Sequence, residues 1–126
     1  MTINALIIDD NDVSIEVLQQ ALRSIGAEFT SLTHPENLDM VDRLDDFDII
    51  FVDIVMPRMD GYEVLRQLKA QVKADIPVVA HTVHINELGI ARAEGFDSFL
   101  AKPIEMDHFQ DQVERILAGE QLWEIL

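Results

Sequence analysis

Two hydrophobic patterns alternate along this chain. Short, nearly continuous apolar runs stop abruptly at polar residues, and between them apolar positions recur every three or four residues. Ile3 to Ile8 reads as a buried strand ending at Asp9-Asp10. Asn11 or Asp12 can cap a helix that carries Leu18, Leu22 and Ile25 on one face and stops at Gly26. Glu28 to Thr33 is a more polar strand, expected at a sheet edge. Thr33-His34-Pro35-Glu36 has the pattern of a capping box with an early proline. It predicts an exposed, acidic helix and a loop over 36–48, with Leu38, Val41 and Leu44 facing inward and Asp39, Asp42, Asp45 and Asp46 set against Arg43.

Ile49 to Val52 is the next buried strand, and Asp53 follows it directly. Pro57 stops the extended run. Asp60-Gly61 makes a turn, with Asp60 and Glu63 spaced as a capping pair for a helix bearing Val64, Leu65, Leu68 and Val72. Pro77 to Ala80 is a strand closing at His81-Thr82. Ile85 to Glu94 is a short helix ended by Gly95, and Ser98 to Ala101 is a last strand ending at Lys102-Pro103. Met106, Phe109, Val113, Ile116 and Leu117 mark a final helix, with Gly119 as its stop. Strand and helix thus alternate five times. Near-continuous apolar strands between amphipathic helices mean a parallel sheet covered on both faces, and right-handed crossovers make it a doubly wound α/β sheet.

Composition narrows what such a sheet can do. At 126 residues and 48% hydrophobic, the chain is a single packed domain. No apolar run approaches the roughly 20 residues that span a bilayer, and no basic segment leads a signal-like stretch. Cysteine is absent, which removes disulfides and thiolate metal sites and fits a reducing cytoplasm. The formal charge of −15 disfavours direct contact with nucleic acid or an anionic membrane, because both need a basic surface. Divalent cations and basic protein partners fit better. His34, His81, His84 and His108 are scattered and suggest no transition-metal site.

Ligands of doubly wound sheets gather beyond the carboxyl ends of the strands. Those ends carry Asp9-Asp10, Asp53, His81-Thr82 and Lys102-Pro103. If the first and third strands are neighbours, Asp9, Asp10 and Asp53 converge. Clustered carboxylates repel unless a cation neutralises them, and an oxygen-only set selects a hard ion such as Mg²⁺. A carboxylate nucleophile beside a metal, an ammonium and a hydroxyl suits phosphoryl transfer to Asp53, with Lys102 and Thr82 completing the set.

The motifs LIIDDND at 6–12, DIVMPRMDG at 53–61, the strand ending in Thr82, and AKPI at 101–104 stand in order at spacings that resemble a bacterial response-regulator receiver domain of the chemotaxis type. The resemblance covers residues 3 to about 118. It implies a flavodoxin-like (βα)5 fold with strand order 2-1-3-4-5. The chain is expected to hold a receiver domain over 1–119 and an apolar tail, 120–126, with no output domain, as a single-domain regulator or a receiver excised from a larger chain. The resemblance also implies that Asp53 is the phosphoacceptor, that Asp10 and Asp53 bind Mg²⁺ directly, that Asp9 joins through water, and that the Val55 carbonyl supplies a further ligand. Thr82 and Lys102 would hold the phosphoryl group, with a cis peptide before Pro103 and Phe99 as the aromatic switch. The donor would be a histidine kinase, a phosphotransfer protein or a small phosphodonor. Phosphorylation would change the surface near Thr82, Phe99 and the last two helices, for a protein target that the residues do not identify.

The chain departs from the family pattern in places. Val83 stands where a small residue is usual, and Val55 and His84 occupy the positions that tune dephosphorylation. Phe99 has no hydroxyl, so a switch there works through ring packing. Two other readings compete. One is a receiver-like interaction module that works without phosphorylation, against which the intact acidic cluster argues. The other is a phosphohydrolase resembling the haloacid dehalogenases, with Asp10 of Asp10-Asn11-Asp12 as nucleophile; Ser14 departs from that pattern, and no acidic pair follows Lys102. Gln121 to Leu126 is too apolar for a free linker and is expected to pack on its own domain or across a homodimer.

Overall fold

The computed structural model describes residues 2–125, so Met1 and Leu126, the outer ends of the ranges read from the sequence, lie outside the described residues. The elements run β1 (Asn4–Ile8), α1 (Asp12–Ser24), β2 (Glu28–Leu32), β3 (Ile49–Val52), α2 (Gly61–Gln71), β4 (Val78–Thr82), α3 (Leu88–Glu94), β5 (Ser98–Ala101), α4 (Met106–Leu117) and β6 (Trp123–Glu124). The strands are all parallel, in the order β2-β1-β3-β4-β5-β6. The expected order 2-1-3-4-5 is therefore present, extended at one edge by a strand from the tail.

The caps follow the sequence closely. Asn11 accepts the Ser14 N–H at 2.9 Å and starts α1. Asp60 accepts from Tyr62 N–H and Glu63 N–H and starts α2. The second half of that capping box does not form, because Glu63 pairs with Arg66 at 2.8 Å instead.

The acidic segment departs from expectation. In place of an α-helix over 36–48 there are two 3-10 turns, Pro35–Met40 and Leu44–Asp46, separated by Arg43 in the left-handed region at φ 60°. Thr33 makes no cap there; the capping position is His34, without a side-chain bond. Aspartate is a poor helix former, and the run of like charges adds repulsion. Asp45 is engaged elsewhere: its Oδ1 accepts from Lys73 N–H at 2.7 Å and Ala74 N–H at 2.8 Å, beyond the end of α2. Leu38 and Leu44 are still buried, so the segment keeps its inner face without the helix.

Two cores sit on the two faces of the sheet. One holds Leu6, Ile8, Val52, Val64, Leu68 and Phe99; the other holds Ile7, Leu18, Phe51, Phe109, Val113 and Leu122. The tail packs on its own domain. Gly119 turns the chain after α4 at φ 99°, Leu122 is buried, and Trp123 and Glu124 pair with Phe99 and Leu100. Among the described residues, no helix is long and apolar enough to cross a membrane.

Candidate functional site

β1 and β3 are adjacent, in register from Ala5 opposite Ile49 to Ile8 opposite Val52, so the residues that leave their ends come together. Carboxylate oxygens of Asp9, Asp10 and Asp53 lie within 4.8 Å of one another. Asp9 and Asp53 are buried, and Asp10 is exposed. Lys102, leaving β5, reaches across: its Nζ donates to Asp9 Oδ2 at 2.8 Å and to Asp53 Oδ2 at 3.0 Å.

Each buried carboxylate is held by both its oxygens. Asp9 Oδ1 accepts from Asn11 N–H at 3.0 Å, and Asp53 Oδ1 accepts from Ile54 N–H at 2.7 Å. Such bonds to the ionised form offset the cost of removing it from water. For Asp9 burial still wins and raises its pKa, against the Lys102 and Asn11 hydrogen bonds that pull it down. Three carboxylates and one ammonium leave two negative charges when all are ionised. An oxygen-only set with that excess fits a hard divalent cation.

Thr82 ends β4 with no exposed surface. Its Oγ1 accepts from His84 N–H at 3.2 Å, and its backbone oxygen accepts from Lys102 N–H at 2.9 Å. The hydroxyl is thus beside the site without a bond to Asp53. The Lys102–Pro103 peptide is cis. Val55 is 50% exposed and Val83 61% exposed; Val83 stands at the rim of a groove of about 220 Å³ lined also by Val13, Val17, Pro103 and Ile104. Phe99 is fully buried, opposite Ala80 on β4 and Trp123 on β6. Asn11, the middle of the Asp-Asn-Asp pattern, is spent on capping α1.

Two features of the site were not legible in the sequence. Gly61 approaches the Asp53 backbone too closely for any side chain, with its N–H donating to Ile54 O at 2.7 Å. Its Asp-Gly context shows a turn and nothing of that contact. His81 faces inward beside Phe51, with ring centroids 6.4 Å apart and no partner for Nε2. Burial, reinforced by the Lys102 charge, pushes its pKa down to about 3 and keeps the ring neutral. The sequence shows His81 only as a polar residue closing the apolar run Pro77 to Ala80, with nothing of its burial.

A family model described as the response regulator receiver domain matches residues 5–114. The chain is 36% identical over 121 residues to the C4-dicarboxylate transport transcriptional regulatory protein DctD of Pseudomonas aeruginosa, covering 93% of this chain and 26% of that protein. It is 30% identical over 120 residues to the hybrid signal transduction histidine kinase L of Dictyostelium discoideum, covering 87% of this chain and 7% of that protein. The chain therefore spans about a quarter or less of these relatives. A solved receiver domain, described as CheY-like, from Methylobacillus flagellatus superposes with a TM-score of 0.79 at 25% identity, over 92% of this chain and 99% of that one.

Proposed function

Because the chain belongs to the response regulator receiver domain family, we propose that it works as a phosphorelay switch in which Asp53 accepts a phosphoryl group from a histidine kinase or phosphotransfer protein. The observation that supports this most directly is the convergence of Asp53 with Asp9, Asp10 and the Lys102 ammonium at one end of the sheet. An Asp53 carboxylate oxygen attacks phosphorus while the bond from phosphorus to the donor's nitrogen breaks, and the electron pair leaves with that nitrogen. The product is an acyl phosphate. Apart from its own modification and the hydrolysis that reverses it, no other turnover is proposed.

Asp9, Asp10, Asp53 and the Val55 carbonyl would hold Mg²⁺. When bound, that ion screens the repulsion between two anions and polarises the phosphoryl oxygens. Lys102, already tied to Asp53, supplies a fixed positive charge to the group as it arrives. The Thr82 hydroxyl acts only as acceptor for His84 N–H, so its own proton is free to bond a phosphoryl oxygen. A backbone bond from Lys102 N–H to Thr82 O joins the two strand ends from which these donors project. The same reading assigns the chain to the cytoplasm, where the kinase domains that would supply the phosphoryl group work.

Incubation with acetyl phosphate and Mg²⁺, followed by intact and peptide mass spectrometry, tests the proposal. One phosphoryl group on Asp53, lost in Asp53→Asn, is expected. An unmodified protein, or modification elsewhere, overturns it.

A further inference from the structure

The tail is the least secured part of the sheet and lies directly against β5, the strand that leads into Lys102. β4 and β5 are paired along their length, from Val79 opposite Ser98 to Thr82 opposite Ala101. Among the described residues, β5 and β6 pair at two positions, Phe99 opposite Trp123 and Leu100 opposite Glu124. Leu122 anchors the tail: its side chain is buried, its N–H donates to the buried Ser98 Oγ at 2.9 Å, and its oxygen accepts from Phe99 N–H at 2.7 Å. Beyond that anchor the hold is weaker. Trp123 is half-buried over the core that contains Phe99, with the Arg92 guanidinium 5.0 Å from its ring, and Glu124 meets Arg115 at 3.8 Å across a solvent-exposed gap.

We infer that Trp123–Glu124 is a releasable cover over Phe99, anchored at Leu122 and loosened when Asp53 is phosphorylated. This rests on the phosphoacceptor reading of Asp53. Lys102 is divided between Asp9 and Asp53, and a phosphoryl group adds negative charge on the Asp53 side alone. Drawing Lys102 toward that charge pulls on β5, whose last residue precedes it. A packed strand answers such a pull by stepping between arrangements rather than stretching, and the shorter of its two pairings gives first. That pairing is with β6, and its yielding uncovers Phe99 and the edge of β5.

Trp123 is the single tryptophan, so the intact protein carries its own probe. With phosphorylation confirmed by mass, the expected result is a red-shifted emission and a severalfold rise in acrylamide quenching of Trp123. The Leu122 amide should stay protected from exchange, and Asp53→Asn should show neither optical change. Arg92→Gln, which leaves the site untouched, should raise quenching before any phosphorylation. If the mass rises and Trp123 quenching does not, the cover is refuted while the phosphoacceptor stands. If the mass does not rise, both readings fail.

Discussion

A Cβ on Gly61 would collide with the backbone oxygen of Asp53 and stand 2.7 Å from the Cα of Ile54. Helix α2 therefore starts in contact with the backbone of the proposed phosphoacceptor. Asp60 fixes the helix end through two N–H bonds, and Gly61 sets how near that end can come.

Gly61→Ala should push the start of α2 away from Asp53, because backbone cannot yield as a flexible side chain does. We expect a loss of about 1–3 kcal/mol of stability, as for overpacking elsewhere. Phosphorylation of Asp53 by acetyl phosphate should slow as well, under conditions where the variant remains folded. Urea unfolding and a single-turnover time course check both, and wild-type behaviour in both would remove the steric role.

Lys102→Met keeps a long apolar stem and removes the charge shared by Asp9 and Asp53. Breaking a buried ion pair from one side costs about 3–5 kcal/mol. A value toward the lower end is expected here, since Asp10 opens the cluster to water. Mg²⁺ should restore part of that loss. A variant insensitive to Mg²⁺ would argue that the carboxylates do not act as one charged cluster.

Mg²⁺ itself should raise the melting temperature of the wild type, because the converged carboxylates exist only in the folded chain. Tenfold excess over Kd corresponds to about 1.4 kcal/mol of stabilisation. Asp10→Asn, at an exposed position, should shrink the response without loss of the fold. Thermal melts in chelator and in millimolar Mg²⁺ make the comparison.

His81 should make the protein acid-sensitive. Its folded pKa is pushed to about 3, below the ordinary 6.5, so between those values the unfolded chain binds a proton that the folded chain refuses. Stability from this group is whole above pH 6.5 and is lost as pH falls, by about 1.4 kcal/mol per pH unit. Urea titrations from pH 7 to pH 4 should show a shallower slope for His81→Met than for wild type. Equal slopes would mean that the ring is protonated in the folded state too.

Leu122→Ala should cost about 2–5 kcal/mol, the range for emptying a buried leucine site. Gln121→Ala, one residue earlier and exposed, should cost little. Calorimetry on both separates an anchor in the core from a tail that merely rests on the surface.

The elements legible in the sequence were those whose burial leaves a period. β1, β3 and β4 are near-continuous apolar runs, and α1, α2 and α4 carry one apolar face each. Asp9, Asp10, Asp53 and Lys102 could be grouped because strand ends in a parallel sheet share one edge. The 36–48 segment misled because Leu38, Val41 and Leu44 keep a helical spacing that two 3-10 turns also satisfy. β6 is too short to show alternation, so only its apolar character was readable. The Gly61 contact depends on how the loop from Asp53 folds back on the start of α2, and the unpartnered His81 nitrogen on what packs around β4, and no local pattern records either.

Because β6 runs parallel to β5, its carboxyl end points to the same rim of the molecule as Asp53, while β1 enters from the opposite rim. A fluorescent protein or affinity label fused after the tail would therefore emerge on the rim that carries the carboxylates, at the sheet edge three strands from Asp53. A label joined ahead of β1 would emerge on the opposite rim, clear of the carboxylates.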